Sequence, residues 1–144
     1  MPSFRISRVL PYGADQLFAI AADVERYPDF LRWWQSAVVR QRSGNSYCTD
    51  QVVGFGPVAQ RFTTKTTLRP PSEIEVTAIE GPFRTFHLLW KFEALRLARC
   101  RVALDAEVDL RAPLLQRFFD RAIRASMNSI LTAFEDRARQ LHGR

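Results

Sequence analysis

Carboxylates recur at alternate positions in two segments of the chain, and paired carboxylates are well suited to acid–base chemistry. Asp105, Glu107 and Asp109 share one face of a segment with strand-like alternation, and Glu73 and Glu75 share a face of another. One member of such a pair acts as a general acid when burial raises its pKa. Apolar residues occupy the opposite face here, so the alternation predicts that these carboxylates face solvent and have no catalytic role.

The other reactive side chains lack the spacing that nucleophilic or metal chemistry needs. Cys48 and Cys100 are the only cysteines and His87 and His142 the only histidines, and they show no ligand spacing. Ser126 has no histidine at an inferable distance, and the sequence contains no nucleophile elbow or phosphate-binding glycine loop. We therefore expect reduced cysteines, no metal, no cofactor and no enzymatic activity.

The chain is basic, with 21 Lys and Arg residues against 15 Asp and Glu residues and a net charge of +6. This balance favours anionic partners, either phospholipid headgroups or RNA. The arginines are spread along the chain without a block or arm, which argues against sequence-specific nucleic-acid binding. Arg117, Arg121 and Arg124 recur at helical spacing, and such a row either contacts phosphates or faces solvent.

The elements that position these residues follow from the apolar periodicity. A helix is predicted at about 14–22, a further short helical turn opens near Pro28, and a long amphipathic helix runs from about Pro113 to Leu141. Strands are predicted at residues 4–10, 36–42, 46–55, 59–69, 73–80, 84–93 and 98–110. Short turns between strands imply an antiparallel meander, so we predict an α+β helix-grip fold over residues 1–144, in which a curved antiparallel sheet wraps around one long C-terminal helix.

Strand parity places a wide apolar set on the sheet face that this helix must cover. The set comprises Phe62, Thr64, Thr66, Leu68, Ile74, Val76, Phe86, Leu88, Trp90, Phe92, Val102 and Leu104 on the strands, and Phe119, Ile123, Met127 and Ile130 on the helix. Such a set either packs solid or lines a cavity for an apolar ligand, and composition alone favours the filled core.

Several short motifs, in one order and at characteristic spacings, carry a family resemblance. They are Leu10–Phe18, Asp23–Leu31, Arg61–Thr64, Glu80–Phe83, Trp90–Phe92 and Phe134–Ala138. In these motifs the chain resembles the coenzyme Q-binding branch of the START-like, polyketide-cyclase-like superfamily, which includes the bacterial ribosome-association toxin A proteins. It departs from the family pattern after Leu31, where Arg32-Trp33-Trp34 replaces Pro, a variable residue and Cys.

The resemblance implies a non-enzymatic protein that binds ubiquinone or a related isoprenoid lipid and supports respiratory electron transfer or quinone biosynthesis. It favours a cavity over a filled core for the residues that face the helix. In that cavity, Thr64 and Thr66 have hydroxyls able to donate a hydrogen bond to a quinone carbonyl. The alternative within the family is a protein that binds the large ribosomal subunit and blocks subunit association. A cyclase-type enzyme is the third and most distant possibility.

The expected setting is cytoplasmic, with peripheral attachment to the inner membrane and transient contact with its anionic surface. Phe30, Trp33 and Trp34 follow the second short helix, near the expected cavity mouth. Exposed indoles beside Arg26 and Arg32 suit a membrane interface, where Trp lies between headgroups and acyl chains. Equally, one indole can cap the core, and the residues leave both interpretations open.

Overall fold

Seven antiparallel strands form one sheet in the computed structural model, which describes the backbone at residues 3–55 and 58–143 and all side chains there except those of 55, 58 and 123–128. Its spatial order is β1-β7-β6-β5-β4-β3-β2, so only β1 pairs out of sequence. The strands are β1 Ser3–Leu10, β2 Trp34–Ser43, β3 Ser46–Phe55, β4 Val58–Arg69, β5 Glu73–Glu80, β6 Phe83–Leu95 and β7 Arg99–Leu110. The predicted meander is confirmed, because each of β2 to β7 pairs with the next strand along the chain.

Three helical segments accompany the sheet. Helix α1 spans Ala14–Ala22, a 3₁₀ helix spans Val24–Asp29, and α2 spans Pro113–His142. Gly13 precedes α1, and its N–H donates to Oε1 of Gln16 at 3.0 Å, which satisfies one of the donors left free at the helix start. The order of elements and the long closing helix confirm the predicted α+β helix-grip fold.

An aromatic contact holds α2 against the sheet. The ring of Phe134 lies edge-on to Trp90, with centroids 5.0 Å apart, and to Tyr27, with centroids 5.9 Å apart. Leu131 and Ala138 lie on the same face of α2 as Phe134, at helical spacing, and all three are buried. The C-terminal half of the helix is therefore the part that is packed into the main core.

The core is divided into two clusters of buried residues. The larger cluster includes Leu17, Trp90 and Phe134 and lies where α1 and the second half of α2 cover the sheet. The smaller cluster consists of Val53, Phe62, Phe83, Val108, Leu110 and Phe119. Phe4, Trp34 and Leu88 are partly buried and pack against both clusters, so they border the region between them.

Gly81, in the turn between β5 and β6, has a φ of +146° that side chains rarely adopt, and a Cβ there would lie 2.7 Å from the Cβ of Phe62. We expect Gly81→Ala to lower the free energy of unfolding by about 2 to 4 kcal/mol, because backbone strain and overpacking add. Gly44→Ala is the matched control. The φ of Gly44 is +59°, but a Cβ added there would have no neighbouring atom within 4 Å, so we expect a loss of about 1 kcal/mol in the free energy of unfolding. Denaturant titration measures both, and equal losses would show that the close approach to Phe62 has no effect.

Candidate ligand-binding cavity

An apolar cavity lies between the concave face of the sheet and the helices. Its volume is about 120 Å³, and every strand contributes to its wall, together with α1, the 3₁₀ helix and α2. The wall joins residues of the larger cluster, such as Trp90 and Phe134, to residues of the smaller cluster, such as Phe62 and Phe119. The cavity is therefore the space left where the two clusters meet.

Most of the residues predicted to face the helix line this cavity. They are Phe62, Thr66, Ile74, Val76, Phe86, Leu88, Trp90 and Leu104 on the strands and Phe119 and Ile130 on α2, together with Trp33 and Trp34. The side chains of Ile123 and Met127 lie outside the described residues. That any of these residues binds a ligand stays a prediction.

The structure places four other predicted strand residues away from the cavity. Phe92 and Val102 are register partners near one end of the sheet, where Phe18 of α1 lies edge-on to Phe92 with centroids 5.7 Å apart. Leu68 packs against the same larger cluster. Thr64 is fully buried and does not line the cavity. Strand parity identified the correct face of the sheet. Helix α1 covers that face near Phe92, whereas the part of the face that lines the cavity is left open.

Gln51 is the most polar of the described side chains in the cavity wall, and it was not among the residues predicted from the sequence. Gln51 is 6% exposed, and its Oε1 accepts a hydrogen bond of 2.6 Å from the indole N–H of Trp34. Its Nε2 donates to Oγ1 of Thr64 at 2.9 Å. The available signal was the parity of β3, on which Tyr47, Gln51 and Val53 share the inward face.

Two tyrosine hydroxyls near the cavity bond to the end of α1. Tyr27 donates to the carbonyl of Ala21, and Tyr47 donates to the carbonyl of Ala22 at 2.6 Å. These bonds satisfy carbonyls that a helix C-terminus leaves without partners. Burial raises the pKa of Tyr47 to about 12 and raises that of Tyr27 further, so both phenols are neutral near pH 7. Their rings contribute to the wall, while their hydroxyls are engaged elsewhere.

Trp34 has the contacts of a core residue. It is half-buried, its ring lies edge-on to Tyr27 with centroids 5.5 Å apart, and its N–H is bonded to Gln51. Trp33, also half-buried, packs against the smaller cluster, and its carbonyl accepts the N–H of Gly54 at 2.8 Å. For Trp34, these contacts favour the core-capping interpretation.

Phe30, the third residue predicted at the mouth, lies outside the cavity wall. Its ring is edge-on to Phe134, with centroids 5.3 Å apart, and the Arg137 guanidinium carbon lies 5.5 Å from its centroid. Phe30 therefore covers the outer side of the aromatic group that anchors α2. Membrane contact by Phe30, Trp33 and Trp34 stays a prediction.

The carboxylates on the solvent-facing sides of β5 and β7 lie away from the cavity, and several of them are paired. Asp105 is bonded to Arg5, Glu73 to Arg69 at 3.0 Å, and Glu75 to His87 at 2.7 Å. The hydrogen bond from His87 holds the pKa of Glu75 below its usual value. Of the described residues that line the cavity, none is a carboxylate, a histidine or a cysteine.

Cys48 and Cys100 are both free thiols. Burial raises the pKa of Cys100 to about 11, so it is protonated and unreactive near pH 7. Within the described part of the chain no three His, Cys, Asp or Glu side chains are grouped as a metal site would need. None of the described helices combines the length and apolar character that a membrane span requires.

The sheet, the long helix and the apolar cavity between them define a helix-grip protein. The chain belongs to the family described as polyketide cyclase / dehydrase and lipid transport, which matches residues 10–135, so the resemblance seen in the sequence is confirmed.

Three known proteins show how this chain relates to others. The ribosome association toxin RatA of Pseudomonas aeruginosa is 36% identical over 137 residues, 95% of each chain. The mitochondrial coenzyme Q-binding protein COQ10 homolog B of Xenopus laevis is 25% identical over 147 residues, which cover 96% of this chain and 58% of that protein. The structure of a Streptomyces aromatase/cyclase superposes with a TM-score of 0.87, covering 98% of this chain and 96% of that one, but at 15% identity it shows the fold alone.

Thr49 is fully buried on β3, and its hydroxyl has no hydrogen-bond partner among the described residues. We expect Thr49→Val to raise the free energy of unfolding by about 1 kcal/mol, because it removes a buried polar atom that has no compensating bond. Thr63→Val is the matched control on the neighbouring strand: the Thr63 hydroxyl donates to Asp50 at 2.9 Å, so the same change should lower stability by about 0.5 to 1 kcal/mol. Denaturant midpoints measure the stability of both variants. A lower midpoint for Thr49→Val would show that the Thr49 hydroxyl stabilises the fold.

Proposed function

We propose that the protein binds ubiquinone or a related isoprenoid quinone in the cavity and carries it without catalysing a reaction. The observation that carries the proposal is the apolar cavity, in whose wall Gln51 supplies the one amide among the described residues. Binding sites for such ligands are mostly apolar, with few polar groups that orient the ligand. The names of relatives such as the Xenopus coenzyme Q-binding protein support the same ligand class.

The size of the cavity limits which part of a quinone it encloses. At about 120 Å³ it is close to the roughly 150 Å³ of an engineered apolar cavity that holds benzene. The cavity is therefore suited to a ring, and a long polyprenyl tail would extend beyond it. Burying one isoprene unit from water is worth roughly 3 to 4 kcal/mol, but a membrane already provides that burial. The proposed carrier shields the ring while it is close to the membrane.

The start of α2 provides a surface for transient contact with an anionic membrane. Leu114 and Phe118 lie four residues apart and are 67% and 37% exposed, and Arg117 and Arg121 are exposed in the same turns. Phe119, next to Phe118, lines the cavity. Apolar side chains flanked by arginines suit an interface where acyl chains lie beneath anionic headgroups. We propose that the protein is cytoplasmic and attaches peripherally to the inner membrane through this surface.

Ribosome association is the second candidate function, and the 36% identity to RatA over 95% of both chains is the observation that favours it. The exposed arginines of α2 would serve it equally, since ribosomal RNA also presents phosphates. We propose the large ribosomal subunit as the partner in this case. A cavity ligand and a ribosomal surface are compatible, because they use different faces of α2.

Filling the cavity should abolish quinone binding while the fold survives. Leu104 lines the cavity and is 4% exposed, so Leu104→Trp places a large ring in the ligand space at a cost of about 1 to 3 kcal/mol. Leu89→Trp is the control, because Leu89 precedes the wall residue Trp90 and faces the other side of the sheet. Isothermal titration with a short-tail ubiquinone measures binding, and circular dichroism checks the fold. A folded Leu104→Trp protein that binds like the parent would rule out this cavity as the site.

Vesicle and ribosome sedimentation, run side by side, separates the two partners. For a membrane surface, Leu114→Ser with Phe118→Ser should reduce binding to anionic vesicles at least several-fold, since both apolar contacts are lost. Leu97→Ser is the control, because Leu97 is 87% exposed in the β6–β7 turn, at the other end of β7 from α2. For a ribosomal partner, sedimentation with ribosomal particles should fall steeply with salt and should survive Leu104→Trp. Equal losses for the control and the double variant would exclude the start of α2 as the membrane surface.

A further inference from the structure

The amide of Gln51 has one hydrogen-bond donor that no described residue of the protein uses. An indole N–H can only donate, so the amide oxygen must face Trp34, and the amide nitrogen then faces Thr64. The nitrogen has two N–H groups, and one of them is bonded to Thr64. Among the described residues, no partner occupies the second N–H.

Three threonines on β3 and β4 lie on the same face of the sheet as Gln51. Thr49 and Thr64, which are register partners on β3 and β4, are fully buried and do not line the cavity. Thr66 lines the cavity, but a hydroxyl can donate or accept, whereas the remaining group on the Gln51 nitrogen can only donate. Gln51 is therefore the member of this group that presents to the cavity a group able only to donate.

We infer that Gln51 recognises the headgroup of the bound lipid by donating its second N–H to a ring carbonyl oxygen. This inference rests on the proposed function and names the residue that orients the quinone ring. A carbonyl oxygen accepts hydrogen bonds and does not donate them, which complements an amide nitrogen whose remaining group is a donor. An isoprenoid without a ring oxygen has no such acceptor, so Gln51 selects quinones from other apolar lipids.

Trp34 and Thr64 are positioning residues in this arrangement. The amide is held at both ends, by the 2.6 Å bond from the indole and the 2.9 Å bond to the hydroxyl, so it cannot rotate without losing both. The second N–H consequently has a fixed direction before the ligand arrives. Donors fixed in advance bind more tightly than donors that must be ordered on binding.

The test compares two probes that share one tail. One is a ubiquinone with a two-isoprene tail, and the other is an alkylbenzene with the same tail and no ring oxygen. Gln51→Met keeps the side-chain length and removes the donor. We expect it to weaken ubiquinone binding by about three- to ten-fold, the loss of one neutral hydrogen bond, and to leave alkylbenzene binding unchanged. Isothermal titration calorimetry measures both affinities.

Thr49→Val is the matched control. It also replaces a buried polar side chain by an apolar one, two residues away on the same face of β3, but Thr49 does not line the cavity. It should bind both probes like the parent. If Gln51→Met binds ubiquinone like the parent, or loses both probes equally, headgroup recognition by Gln51 is wrong. If the parent itself binds neither probe, the proposed quinone function fails, which is a separate result.

Trp34→Phe tests the positioning role, on its own where Gln51→Met does not fold and in a double-mutant cycle where it does. Trp34→Phe keeps an aromatic ring against Tyr27 and removes the N–H that orients the amide. It should weaken ubiquinone binding two- to five-fold more than it weakens alkylbenzene binding. In a Gln51→Met protein the same change should have little further effect, because the two residues act through one bond. Additive losses, or an unchanged ubiquinone affinity in Trp34→Phe alone, would overturn the assignment.

Discussion

One helix is too narrow to cover the sheet that it packs against, and the rest of the structure depends on that mismatch. An α-helix with its side chains is roughly 10 to 12 Å wide, whereas seven strands at about 4.8 Å spacing span roughly 29 Å. Curvature of the sheet around α2 removes part of the difference. At one end, α1 and the 3₁₀ helix fill what remains, where Phe18 packs on Phe92. Between the two clusters the described side chains leave it open, and the cavity is the result.

The aromatic contacts of Phe134 allow this incomplete packing to be stable. Phe134 contacts the rings of Tyr27, Phe30 and Trp90, so α2 is held at its C-terminal half by several large buried surfaces. Such an anchor makes close packing along the first half of the helix less necessary. The same helix can then cover a cavity with Phe119 and Ile130 while it exposes Leu114 and Phe118 to solvent. Stability and the candidate binding surface are thus separated along one element.

Buried polar groups on the inward face of β3 carry a free-energy cost unless they are hydrogen-bonded. A buried hydroxyl without a partner among the described residues, such as that of Thr49, destabilises a fold by about 1 to 3 kcal/mol. Gln51 avoids most of that cost through its bonds to Trp34 and Thr64. Trp34 belongs to the Arg32-Trp33-Trp34 segment, and its indole gives the amide a partner.

The sequence by itself determined the elements, because turn residues and the periods of two and 3.6 are local properties. Helix α1 was predicted at 14–22 and is found there, and β3 and β5 have the predicted bounds. The inward face was equally predictable, since parity assigned Phe62, Leu88 and Leu104 to it. Only the tertiary structure decided which inward residues border a cavity, because that depends on where α1 lies across the sheet. It also decided the hydrogen bonds of Gln51, because its two partners lie on two other strands and are brought together only by folding.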